Sequence, residues 1–229
     1  MMFIDPLYIV FSIPALLLVF SAQILVRFFY SKYSKVANSA GLTGVDLVER
    51  ISKSQGLDIK LNISMNELDD HYDPRTKEIT LSDRIARTPS IASIGIAAHE
   101  MGHALQHQSG SVFINLRNFL VPVVNIGSTL GYILFIIGLS LQVFGLAIVG
   151  IAFFSLSTVF TVITLPVEAD ASIRALRMIK KLNILSPVEQ DGAEKVLIAA
   201  ALTYVAAIAQ SLSSLLYFLF RAFGVRRRN

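Results

Sequence analysis

An uncharged stretch in the second half of the sequence constrains the fold more than any other feature. From Asn118 to Val167 there are 50 consecutive residues without Asp, Glu, Lys, Arg or His. A helix that crosses a bilayer needs about 20 apolar residues, so the stretch predicts two transmembrane helices joined by a tight turn near Ser140–Gln142. Gly127 and Gly131 have the spacing that lets such helices approach closely, although many apolar helices carry it without that contact.

Two other uncharged runs flank this pair. Leu7–Val26 spans 20 residues, and no Lys or Arg precedes it, which favours an uncleaved transmembrane helix over a signal peptide. Val196–Phe220 spans 25 residues and is compatible with a fourth span or with a helix that packs against the others without crossing. Charged residues make up 16% of the chain, whereas soluble domains have about a quarter.

Residues 27–118 are polar, with 11 Lys/Arg and 10 Asp/Glu. Gly41–Gly56 reads as a short amphipathic helix with Thr43 as its N-cap. Ile59–Ile63 alternates apolar and polar residues, and Glu78–Ser82 follows a turn at Asp73–Arg75, so a small hairpin or sheet is expected. An edge strand of this kind is either a structural element only or one that pairs with an extended substrate.

The polar section then enters a helical run that carries the motif His99-Glu100-Met101-Gly102-His103. Residues four apart lie on the same face of a helix, so both histidines can bind one metal ion. Zinc suits two imidazoles and an oxygen ligand; it lowers the pKa of a water, and Glu100 can accept the proton of that water. Five residues are a weak match by themselves, because two satisfied histidines in an ordinary helix give the same pattern.

A catalytic zinc site built on this motif needs a third protein ligand, and the chain has no cysteine to supply it. His107 lies about 12 Å from His99 along the helix axis, too far for bonds of about 2 Å to reach both. Glu168 is the better candidate, because it follows Pro166 at the membrane surface, in the first turn of a new helix. Asp170 is then placed to orient a ligand imidazole. The competing interpretation of Glu168 is an acid that complements a helix dipole.

These motifs resemble the YugP-type family of bacterial membrane zinc metallopeptidases, the neutral zinc metallopeptidases. The matching stretches cover nearly the whole chain in order: Asp70–Pro74 with Leu81 and Ser82, Ala97–Gln106, Leu165–Ser172, and Ala199–Val205. The resemblance implies a membrane-bound zinc peptidase with His99 and His103 as ligands and Glu100 as catalytic acid/base.

Glu168 and Ala171 are also similar to the E-x-x-A-D segment of the Ste24/HtpX-type peptidases, in which the Glu is the third metal ligand. This chain has Ser172 where those have Asp, which puts the partner of the metal ligands in question. An oxyanion stabiliser is also needed. The candidates are His71, Tyr72 and Tyr204, and the sequence does not choose among them.

The expected fold is therefore a mainly α-helical membrane protein with three to four transmembrane helices and a small α+β zinc-peptidase-like domain carrying the H-E-x-x-H helix. Ser186–Glu189 has the form of a capping box with Pro187 at the first helical position. The expected organisation is an N-terminal transmembrane helix at 1–28, a metallopeptidase-like section at 29–118, a transmembrane hairpin at 119–166, a third-ligand helix with a connection at 167–195, and a C-terminal hydrophobic helix with a basic tail at 196–229.

The expected function is a zinc-dependent endopeptidase that cleaves membrane-associated or misfolded proteins. The alternative is a non-catalytic membrane scaffold with a structural zinc site, which would have no use for Glu100. Cleavage inside the bilayer is disfavoured, because the apolar stretch before His99 has only eight residues. The net charge of +4 is mild, and the basic residues flank apolar runs, which indicates lipid headgroups and not nucleic acid.

The basic residues also set the expected orientation in the membrane. Arg27, Lys32 and Lys35 follow the first span, and none precedes it, so the N-terminus is expected outside and residues 27–118 in the cytoplasm. The protein is thus expected to be a multi-pass protein of the cell membrane, with its active site on the cytoplasmic side. Its expected partners are the lipid bilayer and a polypeptide substrate, and an oligomer or an accessory membrane protein is compatible with the sequence.

Overall fold

The computed structural model describes residues 5–226, which form seven helices and three short strands. The chain is mainly α-helical with one small sheet, as the sequence predicts. Expected features at 1–4 and 227–229, including most of the basic tail, lie outside the described residues. The elements are α1 (Pro6–Tyr33), α2 (Gly44–Gln55), β1 (Lys60–Ser64), β2 (His71–Asp73), β3 (Glu78–Ser82), α3 (Asp83–Arg87), α4 (Ile91–Gln108), α5 (Val112–Ser140), α6 (Phe144–Lys181) and α7 (Pro187–Arg226).

Four of these helices, α1, α5, α6 and α7, are long and apolar enough to cross a membrane. By its internal contacts the chain divides into two compact units. The first, here called the apolar unit, comprises residues 5–23, 115–166 and 202–226 of the described chain. The second, here called the polar unit, comprises Ile24–Ile114 and Val167–Ala201.

Glycines bring α5 and α6 together in the apolar unit. A Cβ atom at Gly131 would lie 2.5 Å from the backbone nitrogen of Phe154, and one at Gly150 would lie 2.4 Å from that of Phe135. These distances are far below van der Waals contact, so the helices pack backbone against backbone, as small residues allow in membranes. Gly131 therefore makes the close contact that its spacing predicts, and the turn between the helices falls at residues 141–143.

The far end of α7 packs beside the beginning of α1. The hydroxyl of Tyr217 donates to Asp5 at 2.9 Å, and Arg221 lies 3.3 Å from the same carboxylate. Further along the two helices, the hydroxyl of Ser213 on α7 donates to the backbone carbonyl of Phe11 on α1. The two helices therefore run antiparallel over these turns.

The sheet of the polar unit has the strand order β1-β3-β2. The antiparallel pair is β2 with β3, joined by the turn in which Asp73 accepts from the backbone N–H of Arg75. β1 pairs with β3 in parallel, with Leu61 opposite Ile79, so the expected small sheet is confirmed and a hairpin of these two strands is excluded. The reason is that the β2 segment lies between them in sequence and returns the chain to the starting end.

Helix α2 has the ends that its sequence predicts. Thr43 accepts from the backbone N–H of Asp46 at 3.2 Å, and Asp46 accepts from that of Thr43 at 2.8 Å, which forms a reciprocal capping box. Gly56 ends the helix in the left-handed conformation, with φ of 63°. The buried face of α2, with Leu47 and Ile51 fully buried, packs in the core of the polar unit.

The expectation that Glu168 begins a new helix after Pro166 is wrong. Helix α6 continues without interruption from Phe144 to Lys181, with Pro166 inside it. A proline removes one N–H donor, and apolar helices tolerate this when neighbouring groups compensate. Glu168 therefore lies within a long continuous helix. The capping box at the start of α7 is confirmed, with the Ser186 N–H donating to Glu189 at 2.7 Å.

Candidate metal centre

Helix α4 carries the H-E-x-x-H motif, so the motif is helical as the sequence predicts. Ser90 is its N-cap, with the hydroxyl accepting from the backbone N–H of Ser93 at 3.1 Å. The helix ends at Gln108, and Gly110 follows with φ of 64°. Most of α4 is buried, so its register is set by packing on several sides.

Gly102, inside the motif, is the point of closest approach between α4 and α6. A Cβ atom at this position would lie 2.4 Å from the carbonyl oxygen of Ala171 and 3.1 Å from its Cα. No larger residue fits here without separating the two helices. This contact places His99 and His103, one on either side of Gly102 along α4, opposite Glu168 on α6.

The three expected ligands converge on one point. Oε2 of Glu168 lies 3.1 Å from Nε2 of His99 and 3.4 Å from Nε2 of His103. All three ligand atoms lie within 4.8 Å of one another. In a tetrahedral zinc site, bonds of 2.0–2.2 Å separate neighbouring ligand atoms by about 3.3 Å, so the two distances from Glu168 to the imidazoles fit zinc. No other group of three or more potential ligands is found among the described residues.

The negative charges around His103 raise the pKa of its imidazole. Burial acts in the opposite direction, but the hydrogen bond with Glu168 and the charges of Glu100 and Glu168 outweigh it. Positive charge is therefore stabilised at this point of the polar unit. A divalent cation held by the two imidazoles and Glu168 would meet the same favourable field.

Glu100 is 6% exposed and lies next to the ligand pair on α4. A second acid, Asp70, accepts from the backbone N–H of Ser82 at 2.8 Å and from its hydroxyl at 3.0 Å. Burial raises the pKa of Asp70 despite these hydrogen bonds, and the negative charge of Glu100 acts in the same direction. The two carboxyl groups therefore interact, and Asp70 belongs to the surroundings of Glu100.

The outer nitrogen of each ligand imidazole has a partner. Nδ1 of His99 lies 3.1 Å from the hydroxyl of Ser172, and Nδ1 of His103 lies 3.0 Å from Oε1 of Gln106. Asp170 is connected to the imidazole of His103 through Gln106, because its carboxylate accepts from Nε2 of Gln106 at 2.9 Å. Its carboxylate stands one residue further from the ligands, because the long amide of Gln106 fills the space between.

Two of the remaining candidates, His107 and His71, have partners other than the three ligands. His107 shares a hydrogen bond of 2.9 Å with the hydroxyl of Tyr72, and both line a cavity of about 410 Å³ beside α4. His71 is half-exposed and lies 3.3 Å from Asp69. Tyr204 lies on α7 in the apolar unit.

Sequence reasoning missed two residues that contact the ligands, Gln106 and Ser172. No sequence signal distinguishes Gln106, because its burial and its partners are visible only in the structure. Ser172 was noted only as a departure from a family pattern, although a hydroxyl can accept from an imidazole N–H as a carboxylate does.

Comparison with known proteins agrees with this geometry. A family model described as "Putative neutral zinc metallopeptidase" matches residues 8–223. The chain is 43% identical over 213 residues to the "Putative membrane protease YugP" of Bacillus subtilis (strain 168), covering 93% of this chain and 95% of that protein. No solved structure matches the chain.

Proposed function

The chain belongs to the neutral zinc metallopeptidase family, and on that premise we propose that it is a membrane-bound, zinc-dependent endopeptidase. Its substrates are membrane-associated or misfolded proteins. The observation that carries the proposal is the convergence of His99, His103 and Glu168 on one point with Glu100 buried beside them. A structural zinc site needs the three ligands but has no use for an additional buried carboxylate.

In this proposal, His99, His103 and Glu168 hold the zinc ion and Glu100 is the catalytic acid/base. Zinc, when bound, lowers the pKa of a water and polarises the carbonyl of the peptide bond. Glu100 accepts the proton of the attacking water and delivers it to the nitrogen of the departing amine. Because Glu100 is buried, bulk water does not compete with the attacking water as a proton donor to its carboxylate.

His71, Tyr72 and Tyr204 stay the candidates for the donor to the oxyanion. The hydroxyl of Tyr72 hydrogen-bonds with His107, and burial raises the pKa of its phenol. His71 is less suited, because its imidazole is half-exposed and paired with Asp69.

The four apolar helices are proposed to cross the cell membrane, with the polar unit in the cytoplasm. The antiparallel pairing of α1 with α7 supports a complete crossing by α7, which returns the C-terminus to the side of the N-terminus. Such a crossing places Arg221 outside, against the positive-inside tendency. The carboxylate of Asp5, 3.3 Å from Arg221, offsets part of that charge.

The test is to measure zinc content and proteolysis of the purified protein and of Glu100→Gln. The amide cannot accept a proton, so the variant should keep its zinc and lose about 10²–10⁴-fold in the rate of casein cleavage. Glu194→Gln is the matched control, because Glu194 is exposed at the beginning of α7, and it should leave both quantities unchanged. Cleavage by Glu100→Gln at the native rate would overturn the proposed mechanism.

A further inference from the structure

Gln106 is the most completely bonded polar side chain near the proposed ligands. It is 1% exposed and lies one helical turn after His103. Its Nε2 donates to the carbonyl of Val167 at 2.7 Å and to Oδ2 of Asp170 at 2.9 Å, and its Oε1 lies 3.0 Å from Nδ1 of His103. A buried amide with every bond made is costly to replace, because each lost partner leaves an unsatisfied polar group.

The partners of Gln106 determine which way its amide points. A backbone carbonyl and a carboxylate are both acceptors, so the group facing Val167 and Asp170 must be the NH₂ donor. The carbonyl oxygen of the amide is then the atom that faces His103. An oxygen can only accept, and Nδ1 of His103 must therefore carry the proton.

The tautomer of His103 follows from this assignment. With the proton on Nδ1, the lone pair of the neutral ring is on Nε2, the nitrogen that lies 3.4 Å from Oε2 of Glu168. This is the form that a metal requires from an imidazole. Gln106 also connects α4 to the turn of α6 that carries Glu168, since Val167 is the adjacent residue.

The network continues on α6 beyond Gln106. Oδ2 of Asp170 accepts from Nε of Arg174 at 2.7 Å, so the carboxylate that holds the amide is itself held one turn further along the helix. On the other side of the site, the hydroxyl of Ser172 holds Nδ1 of His99. The two imidazoles thus have different kinds of partner, an amide and a hydroxyl.

We propose that Gln106 is a positioning residue of the metal centre, which fixes His103 with its proton on Nδ1 and ties that ring to the segment of α6 bearing the third ligand. The inference rests on the proposed function in one respect, that zinc binds at His99, His103 and Glu168. Gln106 touches neither substrate nor metal and acts through His103.

The first test replaces Gln106 by Met, which has similar volume but neither donates nor accepts in this geometry. The zinc dissociation constant, measured by competition with a chelator, should rise about 10- to 100-fold. Gln108→Met is the matched control, because Gln108 is exposed two residues further on the same helix, and its zinc affinity should equal that of the native protein. Equal affinities for the two variants would overturn the proposal.

The second test exchanges donors and acceptors without removing bulk, which covers the case in which Gln106→Met does not fold. Gln106→Glu places a carboxylate against the carbonyl of Val167 and the carboxylate of Asp170, so zinc affinity should fall by at least about 10-fold. Adding Asp170→Asn supplies an amide donor to the new carboxylate and should recover part of the loss. If the double variant binds zinc no more tightly than Gln106→Glu, the proposed chain of hydrogen bonds from Asp170 through Gln106 to His103 is refuted.

The third test reads the tautomer directly. In the zinc-loaded protein labelled with ¹⁵N-histidine, His103 should show a protonated Nδ1 and a metal-bound Nε2, and Gln106→Met should lose the slow exchange of that Nδ1 proton with water. A merely structural role would lower thermal stability and leave this signal in place. If the native protein binds zinc through this network but hydrolyses no peptide, the proposed function alone is overturned. If the native protein binds no zinc, both the proposed function and the proposed role of Gln106 are overturned.

Discussion

Substituting Gly102 by alanine tests the contact on which the whole site depends. The new Cβ would lie 2.4, 3.0 and 3.1 Å from the carbonyl oxygen, carbonyl carbon and Cα of Ala171. A relaxed carbon–oxygen contact is about 3.3 Å, so α4 and α6 must separate by roughly 0.9 Å to accommodate the methyl group. All three atoms belong to the backbone, and no rotation of a side chain relieves the clash.

A separation of that size is large for a metal site. Ligand distances in zinc sites vary by about 0.2 Å, whereas His99 and His103 would together move away from Glu168 by several times that amount. Zinc affinity should therefore fall at least as much as in Gln106→Met. Overpacking should also lower the free energy of unfolding by about 1–3 kcal/mol, partly offset by the higher helix propensity of alanine, about 1 kcal/mol.

The assay measures zinc dissociation constants and unfolding temperatures of Gly102→Ala and Gly95→Ala in the same detergent. Gly95 lies on the same helix, but a Cβ there would meet the Cβ of Ala193 at 3.4 Å, an ordinary contact. Gly95→Ala should keep native zinc affinity. Adding Ala171→Gly to Gly102→Ala should restore nothing, because the clash is with the backbone. Native zinc affinity in Gly102→Ala would refute the reasoning.

Three further predictions concern the acids and the membrane orientation. Glu168→Ala should lower zinc occupancy as well as activity, with Glu168→Asp intermediate, as metal analysis of the purified variants would reveal; unchanged zinc content in Glu168→Ala would reject the ligand assignment. Because burial raises the pKa of Asp70, the native protein loses stability as pH rises from the ordinary value of 3.8 through that raised pKa. Asp70→Asn should abolish this loss. The difference in unfolding temperature between Asp70→Asn and the native protein should therefore be larger, in favour of the variant, at neutral pH than below pH 3.8. Cysteines at Lys35 and Gln142 should react with an impermeant reagent from the cytoplasmic and external sides respectively, and the reverse pattern would invert the proposed orientation.

Sequence reasoning succeeded where the signal was local. The cap of α2 at Thr43 and its end at Gly56 are set by hydrogen bonds within a few residues, so the pattern alone determines them. The same holds for the H-E-x-x-H helix, where a spacing of four residues is enough to place two histidines on one face. Glu168 is the first charged residue after the 50 uncharged ones, a feature that the sequence alone displays.

Sequence reasoning failed where the outcome depends on contacts between distant segments. Pro166 is locally a helix breaker, yet α6 continues through it in an apolar segment. The parallel pairing of β1 with β3 depends on where β2 places the chain. Gln106 is unremarkable in sequence, and its role depends on a carbonyl 61 residues away. No periodicity within one element encodes these contacts.

The two halves of the proposed site form a single helix–helix interface, in which distance and ring orientation are set by different residues. Gly102 sets the distance between α4 and α6 by admitting the backbone of Ala171. Gln106 and Ser172 then set the rotation of the two imidazoles, one on each side of that contact. The effects of substitution should separate accordingly: Gly102→Ala changes the distance between the helices and Gln106→Met the orientation of His103, each with a loss of zinc affinity, whereas Glu100→Gln changes the reaction alone. The packing of α4 against α6 thus stabilises the polar unit and also sets the distances between the ligands. This explains why a glycine lies inside the motif.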